Sequence, residues 1–129
     1  MKKRRVKRRK RKRTFRQVVA AKLLSSTKRR AKNKRISYKL APYAKNIARR
    51  ICRGKCELSG LPFDFGGGAL APSIDRVVCT SKNIAENGYF LSNVRIVCWG
   101  LNSALGTWGL DTTMKIMDAT LKKQRYAIE

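Results

Sequence analysis

Charge divides this chain into two unlike halves, and the division limits what it can fold into. Residues 1–55 contain 25 of the 32 lysines and arginines and no acidic residue, whereas residues 56–129 contain seven basic and seven acidic residues. A chain of 129 residues has enough apolar material for one core only. The net charge of +25 calls for a partner dense in negative charge, and nucleic acid is the first candidate.

The basic half is predicted to have two parts. Residues 1–14 form an arm that buries nothing and repels itself, so in isolation it is expected to be disordered. Residues 15–55 form a helical segment that binds nucleic acid. A localisation signal is the alternative role for the arm. The cations expected to meet phosphates are Lys2, Lys3, Arg4, Arg5, Lys7, Arg8, Arg9, Lys10, Arg11, Lys12, Arg13, Arg29, Arg30, Arg49 and Arg50.

Two helices are predicted in the basic half. The first spans Phe15 to Asn33, with an apolar stripe of Phe15, Val19 and Leu23. The second begins at Pro42, a residue tolerated in a first helical turn, and ends near Arg53.

The neutral half, residues 56–129, reads as a short hairpin, two strands and two helices, which makes the fold α+β. The strands are expected at residues 73–79 and 94–98, separated by a polar loop. Helices are expected at residues 99–108 and from Asp111 onward. The aromatic and methionine residues of these helices are expected to fill the core: Trp99, Trp108, Met114 and Met117.

Composition excludes several classes of protein. No apolar run approaches the roughly 18–20 residues needed to span a bilayer, and no apolar segment follows the basic start as in a secretory signal. Because the chain is not expected to be secreted, its four cysteines indicate reduced thiols or metal ligands and not a disulfide framework. The chain contains no histidine, which excludes Ser-His-Asp and Cys-His catalysis and every histidine-ligated metal site.

One set of polar residues falls on the strand, loop, strand and helix of residues 73–108. Asp75 lies on the first strand and Asn102 on the helix that follows the second, so a carboxylate and an amide can converge. Such oxygen ligands suit a hard cation such as Mg²⁺ that also binds substrate phosphate. Structural roles are the alternative for each residue taken alone.

The same segments resemble the HNH endonuclease family. The resemblance runs in register through residues 56–63 (CELSGLPF), 72–76 (PSIDR), 88–89 (GY), 93–98 (NVRIVC) and Asn102. Within this family, the chain most specifically resembles the phage and mobile-element members, in which an Asp-Arg pair replaces the usual Asp-His.

This resemblance implies a ββα-metal core that holds one divalent ion, Mg²⁺ or Mn²⁺, and cuts a phosphodiester. It places Asp75 and Asn102 at the metal, and Asn93 as the brace of the loop between the strands. Arg76 takes the position of the usual histidine base, but an arginine stays protonated and is suited instead to clamp the phosphate. Tyr89, the substrate phosphate and metal-activated water are the open alternatives for generating the nucleophile.

The cysteines allow a second reading. Cys52 and Cys56 have a spacing that a structural zinc can use, with Cys79 and Cys98 as a distant second pair. The favoured reading is four ordinary thiols, since free cysteine is among the most buried residue types.

The function expected from these observations is a metal-dependent HNH-type endonuclease or nickase that hydrolyses duplex DNA. The alternative is a non-catalytic basic nucleic-acid-binding protein of the ribosomal or DNA-packaging kind. A larger DNA-processing or packaging protein is a further expected partner, and no membrane is. The expected location is the cytoplasm of a bacterium or phage-infected cell, or the nucleus of a eukaryote.

Overall fold

A computed structural model describes residues 10–128 of the chain, so most of the expected basic arm lies outside the described residues. The described part has four α-helices and a two-stranded antiparallel sheet, which makes it α+β. In chain order the elements are α1 (Phe15–Asn33), α2 (Ala44–Cys52), β1 (Pro72–Arg76), β2 (Val94–Cys98), α3 (Trp99–Leu105) and α4 (Leu110–Ile128).

Helix α1 begins with a capping box. The Thr14 hydroxyl accepts a hydrogen bond from the Gln17 amide at 3.3 Å, and the Gln17 side chain accepts one from the Thr14 amide at 2.9 Å. This reciprocal pair satisfies two backbone donors that the first turn of a helix leaves free. The helix therefore begins and ends where the sequence predicts.

The face that α1 buries matches the predicted stripe only in part: Leu23 packs against the core. Ala20, Thr27 and Ala31 are buried, whereas Phe15 is 65% exposed. Small side chains let the helix backbone come close to its neighbours. The buried Thr27 hydroxyl donates a hydrogen bond to the Leu23 carbonyl at 2.7 Å. The helix packs through this narrow face against α2 and β1.

Helix α2 is fastened to the sheet by an ion pair. A short 3-10 turn at Ala41–Tyr43 leads into α2, and the Arg50 guanidinium makes two hydrogen bonds to the Glu57 carboxylate. The Ile96 amide on β2 donates to the same carboxylate, and Arg50 also donates to the Val94 carbonyl at 3.2 Å. Glu57 thus joins α2 to β2 through both of its oxygens.

Strands β1 and β2 pair over five residues each, with Asp75 directly opposite Arg95. The first strand is shorter than predicted because the ladder ends at the Arg76–Val94 pair. Beyond it, the Val77 amide donates to the Asn93 carbonyl at 2.9 Å, and the chain turns into the loop. The second strand has the predicted bounds.

Two other segments are more irregular than predicted. The expected hairpin around residues 58–65 is a tight turn closed by a single bridge between Lys55 and Pro62. The helix expected at residues 99–108 ends at Leu105, because Gly106 adopts a positive φ of 46° that a helix does not accommodate.

Helix α3 follows β2 without a loop and packs against both strands. Helix α4 packs chiefly on α3. Within residues 10–128, no helix combines the length and the apolar character required to cross a membrane.

The core draws on both halves of the chain, and this corrects one expectation. Leu40, Ile47 and Ile51 from the basic half are fully buried, and they join the sheet residues in one cluster. The tryptophans and methionines expected in the core are exposed: Trp99 by 57%, Trp108 by 73%, Met114 by 51% and Met117 by 45%. Met114 and Met117 lie on α4, which packs chiefly on α3.

Replacement of Glu57 tests the link between α2 and β2. Burial raises the pKa of the Glu57 carboxyl, but hydrogen bonds from Arg50 and the Ile96 amide outweigh this and hold the pKa below its ordinary value. Glu57→Gln should therefore lower the free energy of unfolding by about 1 kcal/mol at neutral pH.

The pH dependence has a definite sign. Because the folded pKa is depressed, the stabilisation is present above the ordinary carboxyl pKa, about 4.3, and is lost as the pH falls through the folded value. Urea unfolding at several pH values should show the two proteins converging in acid. Asp118→Asn is the control, since its pair with Lys122 is more than 60% exposed on both sides; an equal loss in the control would contradict the assignment.

Candidate functional site

Four of the five residues predicted for catalysis and for the divalent ion line one cavity of about 180 Å³. They come from separate segments: β1, the end of the loop between the strands, and α3. Two cations near the end of α1 complete the wall. We call this the Asp75 cavity, and the side chains that matter for its chemistry are Arg30, Lys34, Asp75, Arg76, Tyr89 and Asn102.

Asp75 is held by a cross-strand ion pair. Arg95 donates from Nε to Asp75 Oδ2 at 2.6 Å, and the two side chains are only 15% and 9% exposed. Within residues 10–128, the second carboxylate oxygen, Oδ1, accepts no hydrogen bond. The pair fixes the carboxylate in one orientation and leaves one oxygen available to the cavity.

Arg76 is anchored at one end. Its Nη1 donates to the Asn87 carbonyl at 2.7 Å, and its guanidinium lies 5.3 Å from the centre of the Tyr89 ring. An arginine has five N–H donors, so the remaining donors can serve an anion in the cavity. The cation–π contact places the charge over an aromatic face rather than over a carboxylate.

Tyr89 is buried and joins the loop to the segment that follows α1. Its amide donates to the Ser37 carbonyl at 2.8 Å, and its carbonyl accepts from the Lys39 amide at 2.9 Å. Its ring also lies 6.1 Å from that of Tyr38. These contacts attach the basic half directly to the wall of the cavity.

Asn102 faces β1 from the first turns of α3. Its Nδ2 donates to the Ser73 hydroxyl at 3.1 Å, and that hydroxyl donates to the Val97 carbonyl at 2.9 Å. Because the nitrogen of the amide is engaged, the oxygen is the atom left for another partner.

Asn93 organises the loop and does not line the Asp75 cavity. Its Nδ2 donates to the carbonyls of Val78, Glu86 and Gly88 at 2.9 to 3.1 Å, and its Oδ1 accepts from the Val78 amide at 2.9 Å. The side chain is buried and closes the loop between β1 and β2 from inside. The geometry is that of a brace, because every hydrogen bond of the side chain is made to the backbone of this loop.

Two side chains of the cavity offer oxygen atoms of the type that hard divalent cations bind. Asp75 Oδ1 and the Asn102 amide oxygen are oxygen ligands of the kind that Mg²⁺ and Mn²⁺ accept, and one carboxylate suffices when substrate phosphate completes the shell. Among residues 10–128, no three Cys, Asp or Glu side chains gather into a group that could hold a metal by themselves.

The four cysteines are free thiols. Cys56 and Cys98 are both buried, and Cys56 Sγ accepts a hydrogen bond from the Ser59 amide at 3.4 Å. Burial raises the pKa of the Cys56 thiol, and hydrogen bonding to the sulfur, chiefly from Ser59, more than offsets it, so the pKa lies below its ordinary value. The structure brings no three cysteines of the described chain together into one group.

The predicted phosphate-binding cations occupy different surroundings. Arg29 and Arg49 are exposed, and Arg11, Lys12 and Arg13 flank a groove against α1 and α2. Arg50 is instead used by Glu57 and the Val94 carbonyl, which withdraws it from the expected phosphate contacts. Seven predicted cations lie outside the described residues: Lys2, Lys3, Arg4, Arg5, Lys7, Arg8 and Arg9.

Three residues of the site were not singled out from the sequence. Lys34 lines the cavity one helical turn after Arg30, and this i, i+4 spacing was a readable signal. Arg95 could have been found only from the strand register, which sets it opposite Asp75. No sequence pattern indicates that Ser73 meets Asn102.

Comparison with known proteins adds no relative: no protein-family model, curated protein or solved structure matches the chain.

Removal of the Asn93 side chain tests its role as a brace. Asn93→Ala leaves one amide and three carbonyls of the loop without their partner, so the free energy of unfolding should fall by about 2–3 kcal/mol. Hydrogen exchange should accelerate most at the Val78 amide. Asn46→Ala, on the exposed side of α2, is the control; unchanged exchange at Val78 would show that the loop does not depend on Asn93.

Proposed function

We propose that the chain is a metal-dependent endonuclease or nickase of the HNH type that hydrolyses DNA phosphodiester bonds. One observation carries the proposal: Asp75, Arg76, Tyr89 and Asn102, chosen from the sequence, line one cavity. The order of β1, β2 and α3, with the helix packed on both strands, agrees with the ββα arrangement that the resemblance implies.

Charge around the cavity favours a phosphate as substrate. Arg30, Lys34 and Arg76 line it, while the single carboxylate, Asp75, is neutralised by Arg95. A phosphodiester entering the cavity would therefore meet an excess of positive charge. Arg76 can present two parallel donors to two phosphate oxygens, since arginine matches phosphate geometry.

In the proposed reaction a water oxygen attacks phosphorus, the P–O bond to the leaving strand breaks, and the leaving oxygen ends protonated. Asp75 Oδ1 and the Asn102 amide oxygen would hold the divalent ion, which supplies the nucleophile from water and stabilises phosphate charge. Arg76, protonated at every working pH, stabilises the charge that develops on the non-bridging oxygens. The Tyr89 ring lies against the Arg76 guanidinium and holds it in place.

The basic half would supply affinity rather than chemistry. Most of its exposed cations lie on α1, α2 and the residues before α1 and do not line the Asp75 cavity, the exceptions being Arg30 and Lys34. Phosphate contacts of this kind fix a protein on DNA without reading sequence. Affinity and cleavage should therefore respond to different substitutions.

A non-catalytic DNA-binding protein is the second candidate, and the Asp75–Arg95 ion pair favours it. An arginine that satisfies one oxygen of the sole carboxylate in the cavity weakens a cation's hold there. On this reading the neutral half is a scaffold that positions the basic one.

Two neutral substitutions separate chemistry from binding. Asp75→Asn keeps an acceptor for Arg95, and Asn102→Ala removes an amide whose only hydrogen bond in the described chain is to Ser73. Each should reduce plasmid nicking by roughly 10²-fold or more in Mg²⁺ or Mn²⁺, because the nucleophile and the phosphate charge lose their ion. Affinity for duplex DNA should stay within about twofold, since phosphate contacts come from the basic half.

The control is Asp118→Asn, which removes the same charge from the exposed side of α4. Nicking by the Asp75→Asn protein at the wild-type rate would contradict the proposed metal site. DNA binding by the wild type without nicking in either metal, relative to an EDTA blank, would establish the non-catalytic candidate.

The basic arm should determine how steeply affinity depends on salt. If about 6–10 phosphate contacts form, affinity should fall by roughly 10³–10⁵ between 50 and 200 mM salt. Deletion of residues 2–13 removes 11 of the 25 cations of the basic half and retains Thr14, which caps α1. The truncated protein should stay folded and bind with a shallower salt slope in gel-shift titrations. An unchanged slope would show that the arm serves localisation alone.

A further inference from the structure

A second concave site lies beside α1 and shares no lining residue with the Asp75 cavity. A groove of about 560 Å³ runs between the middle of α1 and the glycine-containing loop before β1. We call it the α1 groove, and its polar and aromatic lining consists of Lys22, Ser25, Ser26, Arg29 and Phe65. The residues proposed for chemistry do not reach it.

The lining of the α1 groove combines an apolar floor with a cationic rim. Val19, Leu23 and Pro72 contribute apolar surface, whereas Lys22 and Arg29 are exposed cations. None of the lining residues is acidic. A phosphate alone would leave the apolar floor uncovered, and an apolar ligand would leave the cationic rim without an anion. The groove therefore suits a ligand that has both an apolar part and an anionic part.

Phe65 is held in a fixed position at the groove. The Arg16 guanidinium lies 4.7 Å from the centre of its ring, and the Phe63 ring meets it edge-on at 6.2 Å. A ring held in this way loses little conformational freedom when a flat ligand packs against it. Aromatic side chains of this kind are what unpaired bases stack on.

The groove is open on its loop side. Gly67 has a positive φ of 123°, and a Cβ built there would meet nothing within 4 Å. The volume lies within the range of small-ligand sites, about 300–1,000 Å³.

The separation between the α1 groove and the Asp75 cavity can be measured along β1 and along α1, and the two values agree. On β1, Pro72 lines the groove and Asp75 the cavity, and three residues of strand span about 10 Å. On α1, Lys22 and Arg29 line the groove while Arg30 and Lys34 line the cavity, and the midpoints are about 10 Å apart along the axis. This is about three base steps of a duplex, and fewer nucleotides of an extended strand.

We propose that the α1 groove binds one unstacked nucleotide of the strand whose phosphate lies in the Asp75 cavity. The base packs on the apolar floor against Phe65, and its phosphate meets Lys22 and Arg29. The proposal rests on the proposed function for the identity of the strand, and it adds a preference for single-stranded or distorted DNA next to the cleavage point.

Nucleotide binding to the full chain can be followed by NMR at low salt, with deoxyadenosine 5′-monophosphate as the probe. The amides of Ser25, Ser26, Gly66 and Gly67 should shift saturably, and inorganic phosphate at the same concentration should leave them in place. Equal shifts with phosphate alone would overturn the proposal, because the rim would then bind any anion.

A pair of double variants isolates the groove from general electrostatics. Lys22→Glu with Arg29→Glu changes the groove rim, and Lys28→Glu with Lys32→Glu makes the same charge change at exposed α1 positions that line neither site. The groove variant should bind a single-stranded oligonucleotide at least about fivefold more weakly than the control variant, because it reverses the two charges proposed to meet the phosphate of the held nucleotide while the control makes the same change in net charge.

The two proposals fail in different ways. Equal losses in both double variants, with DNA binding and nicking retained by the wild type, would overturn the groove and leave the endonuclease proposal standing. Absence of any DNA binding by the wild type would overturn the proposed function itself.

Discussion

An apolar core has to hold a helical segment without a single acidic residue against a neutral sheet, in a chain of net charge +25. The core does so by crossing the boundary between the halves: Ile47 and Ile51 of α2 join Ile96 and Val97 of β2 in one cluster. Burial of each such side chain contributes about 1.5–3 kcal/mol, more than a screened surface repulsion costs. The cations are therefore carried on the outside of helices whose inner faces are part of the sheet's own core.

Glu57 and Asn93 convert this packing into a defined geometry. Glu57 is among the first residues after the basic half, and its carboxylate engages both Arg50 of α2 and the Ile96 amide. Asn93 closes the loop between the strands through four hydrogen bonds, which returns the chain to β2 in register. Both residues work by satisfying backbone or charged groups that would be expensive to leave unpaired.

Helix α1 is the element on which the proposed functions meet. One side presents Arg30 and Lys34 to the Asp75 cavity, and another presents Lys22 and Arg29 to the α1 groove. Both follow from helical periodicity in a segment rich in cations. If both proposals hold, a single rigid helix sets the spacing between the phosphate that is cut and the nucleotide that is held.

The sequence alone was sufficient for the α+β class, the bounds of α1 and β2, and four of the residues that line the Asp75 cavity, which the family resemblance singled out. Periodicity and capping are local, and in this order of strand, loop, strand and helix a carboxylate at Asp75 and an amide at Asn102 can converge. The tertiary structure decided the rest. It paired Arg95 with Asp75 through strand register, gave Arg50 to Glu57, and left Met117 exposed on α4. Each of these depends on how distant segments of the chain pack against one another. The sequence of any single segment does not indicate that packing.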